Sequence, residues 1–107
     1  MTTFTLHDLE QRLQARAKES ADVSYTRKLL DRGVSHCAKK LGEEAVETVL
    51  AAVGEDRARL TAEAADLIYH LLVVLHARGI TLAEVEAELA ERTKKSGLEE
   101  KAARPRG

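Results

Sequence analysis

Apolar residues recur at helical spacing in five successive blocks. In the first, Leu6, Leu9, Leu13 and Ala17 line one side. Thr5 with Asp8 three residues on resembles a capping box, so a helix is predicted from about Leu6 to Glu19 or Ser20. Its opposite side, Glu10, Arg12, Gln14, Arg16 and Lys18, reads as a solvated face. Residues 20–24 are a loop by composition, and Ser24 or Thr26 caps a short second helix, Tyr25 to Arg32, ended by Gly33. The third helix runs from Val34 to Val53 with a stripe of Val34, Ala38, Leu41, Ala45, Val49 and Ala52, and Thr48 on the same side. Gly54 is its expected C′ residue. A fourth helix, from Arg57 or Arg59 to Arg78, carries Leu60, Ala64, Leu67, Ile68, Leu71 and Leu75, widened by Leu72, Val73 and Val74. So broad an apolar surface suits a central bundle helix or a dimer seam. Thr81 and Glu84 form a capping box for a fifth helix with Leu82, Val85 and Leu89, which Ser96-Gly97 is expected to end. Residues 98–107 are a charged tail expected to fray. No alternation of strand type and no solenoid repeat is present. The prediction is all-α: an antiparallel bundle of four to five helices in one domain spanning residues 1–107.

Composition narrows this further. At 107 residues the chain buries only a modest core, so dimerisation is expected. Aromatics are 3% with no Trp, which leaves the core to Leu, Val, Ala and Ile. A net charge of -1 gives no overall field toward nucleic acid or an anionic membrane. No uninterrupted apolar run reaches the roughly 18 residues of a membrane span. The N-terminus lacks the basic and apolar regions of a signal peptide, so cytoplasmic residence is expected. Cys37, the only cysteine, excludes an intramolecular disulfide and a Cys-rich zinc site; a buried small hydrophobe is its expected role.

Chemistry concentrates in two acidic pairs, Glu44-x-x-Glu47 on the third helix and Glu63-x-x-Asp66 on the fourth. Residues three apart are neighbours on a helix surface, and like charges there destabilise an isolated helix by a few tenths of a kcal/mol. Each pair flanks its apolar stripe, and a short turn makes the two helices antiparallel neighbours. Two readings stand open on the residues alone. One is a solvated acidic face; the other is a set of four hard oxygen donors suited to Mg²⁺ or Mn²⁺. A carboxylate-bridged di-iron site would need Glu-x-x-His, and no Glu stands three before His7, His36, His70 or His76. His36 and His76 read as structural or exposed, whereas His70 shares the sector of Glu63. Lys40 shares the sector of Glu44. Arg27 and Lys28, beside hydroxyls at the start of the second helix, read as surface charges or as donors to a phosphate. Gly42 inside a helix costs about 1 kcal/mol relative to Ala, which suggests close approach of a ligand or another backbone. There is no Gly-rich phosphate loop and no nucleophile motif.

With fifteen residues between them, the two acidic pairs resemble the pattern of the all-α nucleoside-triphosphate pyrophosphohydrolases, the MazG-like superfamily. Flanking segments narrow the resemblance to the phosphoribosyl-ATP pyrophosphohydrolases of histidine biosynthesis. They are Ser24-Tyr-Thr-x-Lys28-Leu-Leu, Lys39-Lys-x-Gly-Glu-Glu-Ala-x-Glu47, Glu63-x-Ala-Asp-Leu-x-Tyr-His-Leu-Leu72 and Ser96-Gly-Leu-Glu-Glu-Lys-Ala. The resemblance implies Mg²⁺-dependent hydrolysis of the α–β phosphoanhydride of N1-(5-phosphoribosyl)-ATP to phosphoribosyl-AMP and pyrophosphate. It implies Glu44, Glu47, Glu63 and Asp66 as catalytic metal ligands. Lys28 and Lys40 fall to the phosphate oxygens by position, and Glu43 supports the ligands or acts as a base. Lys94, Lys95 and Lys101 of the tail would reach the ligand from the partner of a homodimer. Two alternatives remain: a house-cleaning pyrophosphatase of the same superfamily, and a non-catalytic helical dimerisation module.

Overall fold

A computed structural model describes residues 3–54 and 56–94. It contains α1 (Leu6–Ala17), α2 (Tyr25–Asp31), α3 (Val34–Val53), α4 (Arg57–Ala77) and α5 (Leu82–Arg92), with no strand among the described residues.

Local signals set most of the helix ends. Asp8 N–H donates to Thr5 Oγ1 and Thr5 N–H to Asp8 Oδ2, closing the capping box of α1. The same reciprocal pair joins Thr81 and Glu84 at α5. Ser24, rather than Thr26, caps α2 by accepting from Arg27 N–H. The Ser24 hydroxyl also donates to the Arg16 carbonyl at 2.8 Å, and Arg27 Nη1 to that of Ala17 at 2.9 Å. The last carbonyls of α1 thus gain side-chain donors from the start of α2, in addition to the Glu19 N–H that the Arg16 carbonyl accepts at 3.1 Å. The helix ends at Ala17, short of Glu19. Gly79, at φ 71°, closes α4 in a Schellman motif: its N–H donates to His76 O and that of Ile80 to Leu75 O. Gly54 departs from expectation. It is the C-cap itself, in extended backbone at φ -81°, and Asp56 caps α4 by accepting from Ala58 and Arg59 N–H. The end of α5 also differs: the helix stops at Arg92 with Thr93 as cap, before the Ser96-Gly97 stop, which lies with the rest of the tail outside the described residues.

The core gathers Leu13, Leu29, Cys37, Leu72, Val73 and Leu82 where all five helices meet. Cys37 is buried as expected, its thiol directed at the Leu29 carbonyl at 3.3 Å, and burial pushes its pKa up. α5 is tied to α1 by Glu10 Oε2, which accepts from Leu82 N–H at 2.7 Å, and by His7 and Glu86 at 2.8 Å.

The predicted stripe of α3 is corrected by the structure. Cys37, Leu41, Glu44, Ala45, Thr48 and Ala51 turn wholly or partly inward, whereas Val34, Ala38, Val49 and Ala52 are exposed. The helix is apolar on two sides, and the side facing α4 is the one that carries Glu44. The other side leaves Val46, Val49, Leu50 and Val53 open, at 58, 62, 52 and 80% exposure. Gly42 lies on this open side, and among the described residues nothing comes within 4 Å of a Cβ built there. The close approach expected at Gly42 is made by none of the described residues. In α4 one 18-residue window has mean hydropathy 1.3, enough by length and composition for a membrane span. Here that helix packs α1, α2 and α3 and buries His70, Leu72 and Val73.

Truncating Leu72 to Ala removes a side chain from the centre of this core. The variant is expected to lose about 2–5 kcal/mol of unfolding free energy by urea titration, against less than about 0.5 kcal/mol for Val23→Ala on the exposed loop.

Candidate metal and phosphate site

The acidic residues meet where α3 and α4 run side by side. Thr48 lies between the helices: its hydroxyl donates to the Glu44 carbonyl at 2.7 Å and reaches the Glu63 carbonyl across the seam at 3.2 Å. This small side chain lets the backbones approach at the level of the acids. Glu44, Glu63 and Asp66 there each present a carboxylate oxygen within 4.8 Å of the other two. Glu44 and Glu63 are part-buried and Asp66 is exposed. Burial raises the pKa of Glu63 first, and the negative charges of Glu44, Glu47 and Asp66 raise it further, while Arg59 opposes them.

Glu47 stands outside the trio. Its carboxylate pairs with Arg59 at 3.7 Å across the seam. Arg59, one turn before Glu63 on α4, was not singled out from sequence, although that spacing places it on the same face. Lys40 bonds Glu43 at 3.4 Å. That hydrogen bond and charge raise the Lys40 pKa, with smaller contributions from Tyr25 and Glu44. Lys28 is exposed on α2 and has no ion pair among the described residues. The structure therefore brings together three of the four acids, sets Glu47 beside them through Arg59, and leaves Lys28 apart. Lys94 pairs with Glu91 at 2.8 Å; Lys95 and Lys101 lie outside the described residues.

His70 is buried rather than among the carboxylates. Its Nδ1 bonds the Asp66 carbonyl at 2.8 Å, so in the neutral ring Nδ1 carries the proton and Nε2 is an acceptor with no partner among the described residues. Tyr69 packs edge-on against the His70 ring at 5.1 Å. His36 is part-buried, and its pKa is lowered by desolvation and then by Arg32, Lys39 and Lys40.

No ion pair among the described residues neutralises Glu44, Glu63 or Asp66, because Arg59 serves Glu47 and Lys40 serves Glu43. The donor set is oxygen only, without His or Cys, which fits a hard divalent cation and not a zinc or iron centre.

A family model described as phosphoribosyl-ATP pyrophosphohydrolase matches residues 6–93. The chain is 65% identical over 104 residues to phosphoribosyl-ATP pyrophosphatase 1 of Bradyrhizobium diazoefficiens, covering 97% of this chain and 98% of that one. It is 63% identical over 106 residues to the phosphoribosyl-ATP pyrophosphatase of Nitrobacter winogradskyi, covering 99% and 91%. With the enzyme of that name from Rhizobium meliloti the identity is 56% over 104 residues, covering 97% of each.

The raised Glu63 pKa has a definite sign. The folded state holds that proton more tightly than the unfolded chain, so ionisation of Glu63 lowers stability as pH rises through the carboxylate range. Glu63→Gln is expected to raise the Tm of the metal-free protein at pH 7. The gain should shrink toward zero once the pH is low enough to protonate Glu63, as thermal melts across pH will show.

Proposed function

The chain belongs to the phosphoribosyl-ATP pyrophosphohydrolase family, and from that premise we propose that it hydrolyses the α–β phosphoanhydride of N1-(5-phosphoribosyl)-ATP. The products are phosphoribosyl-AMP and pyrophosphate, in the second step of histidine biosynthesis. The observation that carries this reading from family to chemistry is the un-neutralised trio of carboxylates at the α3–α4 seam. Glu44, Glu63 and Asp66, joined by Glu47 from its place beside them, would hold Mg²⁺ or Mn²⁺. Such a cation, when bound, neutralises phosphate charge, lowers the pKa of the attacking water and stabilises the leaving pyrophosphate. Lys40, part-buried one turn before Glu44, would supply a positive charge to the phosphate oxygens, and Lys28, exposed and apart on α2, would serve them only by extending its side chain toward a bound substrate. Glu43 acts on the substrate through Lys40, whose ammonium it holds at 3.4 Å. The open apolar side of α3 supports a homodimer, because Val46, Val49, Leu50 and Val53 flank a glycine that lets a second backbone come close. We place the enzyme in the cytoplasm, with neither nucleic acid nor membrane as partner. Glu63, Asp66 and His70 would be costly inside a bilayer.

Glu44→Gln and Asp66→Asn should each lower Mg²⁺-dependent pyrophosphate release from phosphoribosyl-ATP by about a hundredfold or more, with unchanged circular dichroism. Full activity in both variants rules out the metal assignment. In the wild type, Mg²⁺ at about a hundred times its Kd should add about 2.7 kcal/mol of stability, a gain absent from a non-catalytic helical module. A panel of other nucleoside triphosphates separates this enzyme from a house-cleaning pyrophosphatase.

A charge on the open face of α3 tests the assembly. Val49→Asp is expected to halve the sedimenting mass at micromolar concentration. An unchanged mass would remove this face from the interface.

A further inference from the structure

The carboxylate trio answers to a triphosphate, and the triphosphate is the part that phosphoribosyl-ATP shares with ATP. Selectivity between the two needs contacts with what differs, the ribose 5-phosphate carried on N1 of the adenine. The inference that follows rests on the substrate reading above.

A cleft of about 350 Å³ opens between α1, α2 and α4, with Arg12, Arg16, Tyr25, Thr26 and Tyr69 in its lining. Its floor is fixed by the hydrogen bond between Thr26 Oγ1 and Tyr69 Oη at 2.6 Å, with Thr26 buried. One wall is aromatic: the Tyr25 and Tyr69 rings stack with centroids 6.4 Å apart and planes 20° apart, and Tyr25 is half-exposed. The α1 rim carries two guanidinium groups. Arg12 lies over the Phe4 ring at 4.6 Å and has no carboxylate partner among the described residues. Arg16 has only Glu19, at 3.8 Å and well exposed, an arrangement worth little in water. Both arginines are therefore open to a stronger anion. Read from sequence, they were part of a solvated face; the cleft gives them something to line.

The cleft also adjoins the acids. Tyr69 follows Asp66 by one turn on the same face of α4, and the Tyr25 ring lies edge-on to His70 at 6.5 Å, the residue whose Nδ1 bonds the Asp66 carbonyl. The aromatic wall thus stands between the arginine rim and the carboxylates. A substrate with phosphates at both ends of an adenine nucleoside has that same order of groups.

We propose that this cleft is the specificity subsite of the enzyme. Arg12 and Arg16 grip the distal 5-phosphate, and the Tyr25–Tyr69 wall packs against the adenine and ribose that join it to the reacting phosphates. The two arginines touch the non-reacting end of the substrate and take no part in bond cleavage.

The test is the double variant Arg12→Gln/Arg16→Gln, whose changes lie on the surface and leave the core intact. Expected is a fall of at least tenfold in kcat/KM for phosphoribosyl-ATP. The Ki of ATP as a competitive inhibitor should stay within twofold of the wild type. A smaller fall, or an equal loss for both ligands, overturns the assignment. The two readings fail differently. A wild type that releases no pyrophosphate from phosphoribosyl-ATP sinks the substrate reading and this inference with it. A wild type and double variant that turn it over equally well sink the subsite alone.

Discussion

Three carboxylates within 4.8 Å of one another repel, and an isolated helix would spread them apart. The long antiparallel pair α3 and α4 keeps them together. Leu41, Ala45 and Ala51 of α3 pack toward α4 while Thr48 fastens the two backbones at the level of Glu44 and Glu63. The remaining helices support this pair. α1 and α2 hold the end of the seam that contains Cys37 and Val73, and α5 is fixed to α1 through Glu10. Burial first, and then the like charges of Glu44, Glu47 and Asp66, raise the proton affinity of Glu63. A cation would relieve that repulsion, so the same interaction that weakens the bare fold favours the ligand.

Much of this was legible in the residues because it is local. Thr5, Ser24, Thr81 and Gly79 act within four residues of themselves, so the helix starts and the close of α4 could be read from the chain. The acid spacing was equally plain, since a three-residue step keeps side chains on one surface. The resemblance drawn from these segments agrees with the family match over residues 6–93.

What escaped the sequence is non-local. A helical wheel gave α3 one stripe, but the helix is apolar on two sides, and periodicity alone does not say which side meets its own chain. The acidic pairs, read as flanking their stripes, do come to the seam, where Glu44 turns in with Thr48. Glu47 reaches Arg59 across two helices, and that register depends on how α3 ends, where Gly54 proved extended rather than left-handed. The bond from Thr26 to Tyr69 spans 43 residues and joins two positions that carried no visible signal of contact. Clefts arise from such pairings, and so the arginine-lined one could not be foreseen.

The seal around Cys37 has a practical side. The only sulfhydryl in the sequence is enclosed by the core with its sulfur against a carbonyl. Alkylating reagents can reach it only when α2 and α3 part, so its labelling rate is a native clock for opening of the interior. No engineered probe is needed to follow how the bundle breathes.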